Sequence, residues 1–537
     1  MSSSNIIDQP AAVFILAGDN PRPQSACRNG LAWEQGSVRV TLFPTAEHRA
    51  AITITTTVPL IRVVLRWNNP FAPGTRLLGD AWERSYGDLE WRGATPHRLM
   101  PWYFLSHHEG RTTGYGVMTG GAAFACWQAD STGLTLTLDL RSGGVGVMSG
   151  ERLLPAAVLV QRPPHPGESP FKATRALCAS LHPAHLTPRL PVIGHNDWYW
   201  LYGKNSEALI LEATRRFMAL YPKNTDVRPW SVIDDGWQMP SAPSGPHCNG
   251  GPWDKGNALF PDMAGLAAKI KALGARPGIW MRPLQTKASI PDAWKIRCPK
   301  PNSREGGYVM DPTVPEVLDL VRTDIARICD WGYELIKHDF SSYDVTGRWG
   351  FEMTGSPDGF APNGWAYADS TRTTAEILTA FYRVIREAAG PDVLLIGCNT
   401  VGHLAAGLVD IQRIGDDTSA SDWDRTRRMG VNTLAFRSVQ QNTFFAADAD
   451  CVPISPHIPA RLTNRWLDLV ARSGTPLFLS MDPAACDAET NQAIRNALAA
   501  AVKPSPPAEP LDWFDTAVPG HWKLQGEEVR YDWNEWL

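Results

Sequence analysis

Two stretches of the chain carry carboxylates of the kind that act together on one bond. In Leu335-Ile336-Lys337-His338-Asp339 an apolar pair leads into a lysine and then, two residues on, an aspartate. Residues two apart on a β-strand point to the same face, so the ammonium would keep the Asp339 carboxyl ionised, as a nucleophile requires. In Arg413-Ile414-Gly415-Asp416-Asp417 an arginine precedes two adjacent acids. Neighbouring side chains cannot both aim at one spot, so one of Asp416 and Asp417 does the chemistry and the other does not. Glycosidic cleavage uses such a set: one carboxyl protonates the leaving oxygen and another attacks or stabilises the anomeric carbon. The composition fits a sugar substrate. The 537 residues include 22 tryptophans, whose flat apolar rings and single N–H donors match sugar faces, although about half are expected to fill cores.

Those residues need a scaffold, and the hydrophobic pattern indicates which. Up to about residue 160, alternating runs at 37–43, 51–58, 60–67 and 134–140 are separated by Gly, Pro and Asn clusters. That pattern predicts a β-sandwich. Residues 161–170 read as a linker. From residue 191, short apolar runs at 192–200, 230–234, 276–281, 333–337, 393–398, 409–414, 433–436 and 476–481 alternate with helical patterns at 206–220, 263–273, 314–331, 373–389 and 460–473. This is the texture of a (β/α)8 TIM barrel in the α/β class. A second proline-rich break at 503–510 precedes a tail holding Trp513, Trp522, Trp533 and Trp536. The expected organisation is an N-terminal β-sandwich domain over 1–170, a catalytic (β/α)8 barrel over 185–500 and a short C-terminal β segment over 505–537.

Barrel active sites form at the C-terminal ends of the strands. The predicted ends carry Asn196, Asp197 and Trp198; Asp234 and Asp235; Trp280 and Arg282; Lys337, His338 and Asp339; Cys398 and Asn399; Arg413, Asp416 and Asp417; and Asp482. A loop rich in acids and aromatics, 79–83 with 86–91, is expected to fold over the barrel mouth. The net charge of −4 gives no electrostatic reason to expect nucleic acid or an anionic membrane as partner. Nine cysteines without a CxxC spacing argue against a disulfide framework or structural zinc. No metal and no cofactor is expected. No signal peptide is visible, so a cytoplasmic setting is expected; self-association stays open.

Taken in order, Gly194-His195-Asn196-Asp197-Trp198-Tyr199, Ile233-Asp234-Asp235-Gly236-Trp237, Gly278-Ile279-Trp280, Lys337-His338-Asp339, Arg413-Ile414-Gly415-Asp416-Asp417 and Asp448-Ala449-Asp450-Cys451 resemble the α-galactosidase clan, glycoside hydrolase families 27 and 36, family 36 most of all. The resemblance implies a retaining mechanism through a covalent glycosyl-enzyme on an α-linked small-molecule or oligosaccharide substrate. It implies Asp339 as nucleophile and selects Asp417 over Asp416 as acid/base. Asp234 and Asp235 would bind sugar hydroxyls, Trp198 would form the floor and Trp280 a wall. Lys337, Arg413 and Asp450 would contact the ligand, with Cys398 and Asp416 in the same substrate-binding set. The chain departs from the family at His338, Arg282, Ala447 and Ala449, which puts galactose itself in question. Arg282 is expected to read an anionic substituent or to pair with a neighbouring aspartate. Other readings are transglycosylation of the raffinose-synthase type, a non-catalytic sugar-binding protein, and a metal-dependent barrel hydrolase using His195, His338 and Asp339.

Overall fold

The computed structural model describes residues 9–18, 20, 22–182, 186–239, 250–301, 306–357 and 359–534. Trp536, Cys248 and residues 1–8, where no signal peptide is expected, lie outside them. The N-terminal part is a β-sandwich of one six-stranded and one eight-stranded antiparallel sheet. Alternation builds it: in the strand Val38–Ala46, Val38, Val40 and Leu42 are buried while Arg39 is exposed. The strand Leu60–Trp67 lies between Ala12–Ala17 and Gly133–Asp139 at the centre of the smaller sheet. The predicted linker holds the end of the strand Leu154–Arg162 and the start of a helix, Pro170–Leu181, that the sequence reading missed. Ser169 caps this helix by accepting from Lys172 N at 3.3 Å. Leu177 and Leu181 pack where Gly114 and Gly116 leave no side chain in the way.

The barrel follows. Its strands are Ile193–Asn196, Trp230–Ile233, Arg276–Met281, Leu335–His338, Leu394–Gly397, Ile411–Arg413 and Leu477–Met481, plus an interrupted strand seven formed by Ala446–Asp448 and Val452–Ile454. All pairings between them are parallel. The first half of strand seven pairs with strand six and the second half with strand eight, so the sheet comes round on itself through residues 449–451. Asp450 turns this corner with φ +75°.

Two strand predictions need correction. Residues 433–436 belong to a helix, Thr433–Arg437; a short buried apolar run looks alike in helix and strand. The true strand seven, rich in alanine and interrupted by Asp450, has little β signal. The first strand also stops early, because Trp198–Leu201 forms a helical turn.

Outside the strands, helices start where the side chains cap them. Ser206 caps Glu207–Leu220, Asp262 caps Met263–Ala272, and Thr373 with Glu376 forms a capping box for Thr374–Ala389. Ile233, Ile279, Ile336 and Leu395 face this outer layer, whereas Val232, Leu335, Ile396 and Ile411 fill the barrel interior. One step further along the same inward rows come Asp234, Lys337, Cys398 and Arg413. A three-stranded sheet, Glu509–Pro510, His521–Leu524 and Glu527–Arg530, ends the described chain. Its region is tied in by buried tryptophans: Trp423 Nε1 donates to Trp533 O at 3.0 Å, and Trp513 stacks on Phe436. Among the described residues, no helix is long and apolar enough to cross a membrane.

Candidate active site

At the C-terminal mouth of the barrel lies a cavity of about 350 Å³. Ten of the residues singled out in the sequence line it: Trp198, Asp234, Asp235, Trp280, Lys337, Asp339, Arg413, Asp416, Asp417 and Asp450. Asn196, Tyr199 and Cys451 complete the strand-end wall.

That wall is a network of paired buried charges. Register sets Trp280 directly beside Lys337. Lys337 Nζ donates to Asp234 Oδ2 at 2.7 Å, and Asn196 Nδ2 reaches the same oxygen at 2.7 Å. Burial disfavours the Lys337 ammonium, but the Asp234 carboxylate wins and keeps it charged. Behind this pair, Asp197 accepts from Asp234 N at 2.7 Å and from Asn205 Nδ2 at 2.8 Å. Burial first, and the nearby Asp234 second, push the Asp197 carboxyl up to about 7. Asp235 accepts from Gln238 Nε2 at 2.5 Å.

Asp339 is held by two donors. Phe340 N reaches Oδ1 at 2.7 Å and Trp280 Nε1 reaches Oδ2 at 3.2 Å. The Phe340 backbone is left-handed, φ +60°, which turns the chain sharply just after the aspartate. Across the mouth, Arg413 is 2% exposed and anchors strand six. Its Nη2 lies 3.0 Å from Asp450 Oδ2 and 3.1 Å from Asp417 Oδ1. Asp450 is itself bonded by Tyr199 OH and by Thr418 N at 2.9 Å. Asp416 and Asp417 diverge, as adjacent side chains must: Asp416 pairs with Arg425 at 2.7 Å and Arg84 at 3.2 Å, Asp417 with Arg413 and, at 3.4 Å, with Arg84. Burial would raise the Asp417 carboxyl, but Arg413, Arg84 and Lys337 outweigh it and hold it below the usual carboxylate range. Its side chain remains 41% exposed, open to a ligand.

The other wall comes from loops. The N-terminal loop does fold over the mouth as expected. Ser85 pairs with Gly415, donating to Ile414 O at 2.9 Å and accepting from Asp416 N at 2.9 Å. Gly87, φ +71°, lets the loop press onto Arg428, whose carbonyl would lie 2.8 Å from any added Cβ. This seating brings Arg84 and Tyr86 into the cavity lining, where Trp349, Phe351 and Phe340 join them from the segment after strand four. Glu83, fully buried, ties the two arms together: it accepts from Gly350 N at 2.7 Å, from Ser342 Oγ at 2.6 Å, and from Tyr86 OH.

Two predicted residues stay out of the lining. Arg282 commits Nε to Asp344 Oδ2 at 2.9 Å and Nη2 to Asp344 Oδ1 at 2.6 Å, with its guanidinium over the Phe340 ring. It is the salt bridge of the two expectations, not a reader of a ligand anion. Cys398 is 1% exposed beneath the cavity, within 3.5 Å of Arg413 Nη1. His338 is fully buried, bonds Ser341 Oγ at 3.0 Å, and is lowered to about 3 by that burial. Arg84, Trp349 and Phe351 were missed by the sequence reading. Only the density of aromatics and acids around 79–91 signalled the first of them.

No family model matches the chain, and no curated protein sequence matches it. Solved structures do. An α-galactosidase from Thermus thermophilus, in complex with p-nitrophenyl α-D-galactopyranoside, superposes with TM-score 0.62 at 19% identity, covering 92% of this chain and 97% of that one. A variant of the family 36 α-galactosidase from Geobacillus stearothermophilus, in complex with 1-deoxygalactonojirimycin, gives 0.58 at 12% identity over 92% and 73%. The α-galactosidase from Lactobacillus brevis gives 0.53 at 14% identity over 91% and 70%. At these identities the likeness establishes a shared fold.

Proposed function

We propose that this protein is a retaining α-glycoside hydrolase of the α-galactosidase type. The observation that carries the reading is that Asp339 and Asp417, from the ends of strands four and six, line one sugar-sized cavity with Asp234, Asp235, Trp198 and Trp280. Asp339 is the nucleophile. Its carboxylate attacks the anomeric carbon while Asp417 delivers a proton to the leaving oxygen; Asp417 then takes a proton from the water that releases the sugar. Asp234, Asp235 and Lys337 offer charged partners to sugar hydroxyls, and Trp198 and Trp280 offer ring faces. Structures of the Thermus enzyme with an aryl α-galactoside and with stachyose support an α-galactoside or oligosaccharide substrate.

The cavity sets limits on the sugar. Six aspartates line it against Arg84, Lys337 and Arg413, so a uronate or sulfated ring meets net repulsion. Asp417, lowered by its arginines, is mostly ionised at neutral pH, the form required of the base. Its acid form grows as pH falls, so turnover through the first step rises toward weakly acidic pH.

The test is chemical rescue. A screen of aryl α-glycosides identifies the sugar, and Asp339→Gly should then lose hydrolysis by orders of magnitude. Azide should restore turnover in that variant and yield the β-glycosyl azide. Turnover that survives in Asp339→Gly without azide rules out the assignment.

A further inference from the structure

The loop wall differs in kind from the strand-end wall, and it lies on the leaving-group side. Asp417, the proposed proton donor, must sit beside the leaving oxygen. Arg84 pairs with Asp417 at 3.4 Å and stands 5.8 Å over the Trp349 ring. Two residues on, Tyr86 meets Phe351 edge-on at 5.2 Å. The aromatic wall is thus continuous with Asp417 through Arg84. Two of its polar groups are committed within the protein: the Tyr86 hydroxyl donates to buried Glu83, and the Arg84 Nη groups pair with Asp416 and Asp417. What faces the opening is ring surface. Phe351 is 55% exposed, although a large apolar side chain at the lip of a polar cavity gains nothing from water. Trp349 is locked in place by a stack on Tyr343 at 4.4 Å, so the platform exists before any ligand arrives.

We infer that this wall is a leaving-group subsite for a flat, unsaturated aglycone, an aryl group joined directly to the scissile oxygen. The inference rests on the glycosidase reading above and adds the class of group that is expelled. A saturated sugar in this place needs several hydrogen-bond partners for its hydroxyls, whereas the Tyr86 hydroxyl is committed to Glu83 and the Arg84 Nη groups to Asp416 and Asp417, so what the wall offers is mainly ring surface. An aryl ring needs only faces and edges, which Trp349, Phe351 and Tyr86 supply.

The experiment compares Phe351→Ala with the parent on three galactosides: the p-nitrophenyl glycoside, melibiose, and α-galactosyl fluoride, which has no aglycone ring. Comparing each substrate with itself removes differences in intrinsic leaving-group reactivity. The expected result is a loss of kcat/KM on the aryl glycoside at least tenfold larger than on melibiose or the fluoride, recovered in Phe351→Trp. Equal losses on all three, or a larger loss on melibiose, would overturn the inference. If the screen finds a sugar other than galactose, the same three leaving groups are compared on that sugar; if the parent turns over none of the screened glycosides, the proposed function fails, and binding decides the wall separately. Aryl and methyl α-glycosides of galactose, glucose and xylose are then titrated calorimetrically into the parent and into Phe351→Ala. An aryl preference of tenfold or more that Phe351→Ala abolishes sustains the subsite; equal affinities, or binding of neither form, sink it.

Discussion

One side of the cavity is made mostly of buried, paired charges, and the other of rings that are partly exposed. On the strand-end side Asp234, Lys337 and Arg413 are nearly fully buried, and each is paired. On the loop side Phe351 stands half in solvent, and Tyr86 and Arg84 arrive from a loop in the N-terminal part of the chain. The difference teaches where rigidity comes from. A buried charge with a fixed partner is costly to displace, so the side proposed to bind the sugar is over-determined by its own network. The loop side is tied together by one buried carboxylate, Glu83, and is seated on the barrel by the Ser85–Gly415 pairing and the Arg84 ion pairs.

This contrast can be broken. The largest expected effect is in Lys337→Met, which strands the Asp234 carboxylate in a buried site. It should cost about 3–5 kcal/mol of stability, read as a lower denaturation midpoint, and hydrolysis should fall with it. A variant as stable as the parent would mean that the strand-end network is not the rigid half.

A smaller effect joins the two walls. Arg84 is one of the cations that lower Asp417. In Arg84→Gln the carboxyl rises, more of it is protonated at any given pH, and the alkaline limb of kcat/KM moves to higher pH, by about one unit. A limb that stays in place, or moves down, would show that the N-terminal loop has no electrostatic hold on the barrel acid.

The smallest effect is on the exposed ring itself. Phe351→Ala should leave the denaturation midpoint within about 0.5 kcal/mol of the parent, whatever it does to substrate preference. A loss comparable to that of Lys337→Met would mean that the loop wall is structural and would erase the distinction.

Much of the strand-end wall was legible in the residues. Leu335, Lys337 and Asp339 fall on one face because a strand repeats every two residues, and the arginine before Asp416 and Asp417 marked the end of strand six. The fold showed as well, because alternating and helical patterns changed over near residue 191. Strand seven did not show: three residues on each side of Asp450 carry too little apolar pattern, and the better-looking run at 433–436 is helical. Arg282 was legible as a charge near the mouth, but its partner Asp344 lies 62 positions away, on the short helix Ser341–Thr346 after strand four.

The sequence alone determined which residues face into the barrel mouth, since that follows from local periodicity along each strand. It also showed that only one of Asp416 and Asp417 could aim at a given spot, since adjacent side chains diverge. Only the tertiary structure decided that Arg84 would bridge Asp416 and Asp417, that Tyr86 would meet Phe351, and that Arg282 would turn away from the cavity. Those outcomes depend on loops, and a loop has no repeat from which its direction can be read; its path is chosen by the distant surface on which it comes to rest.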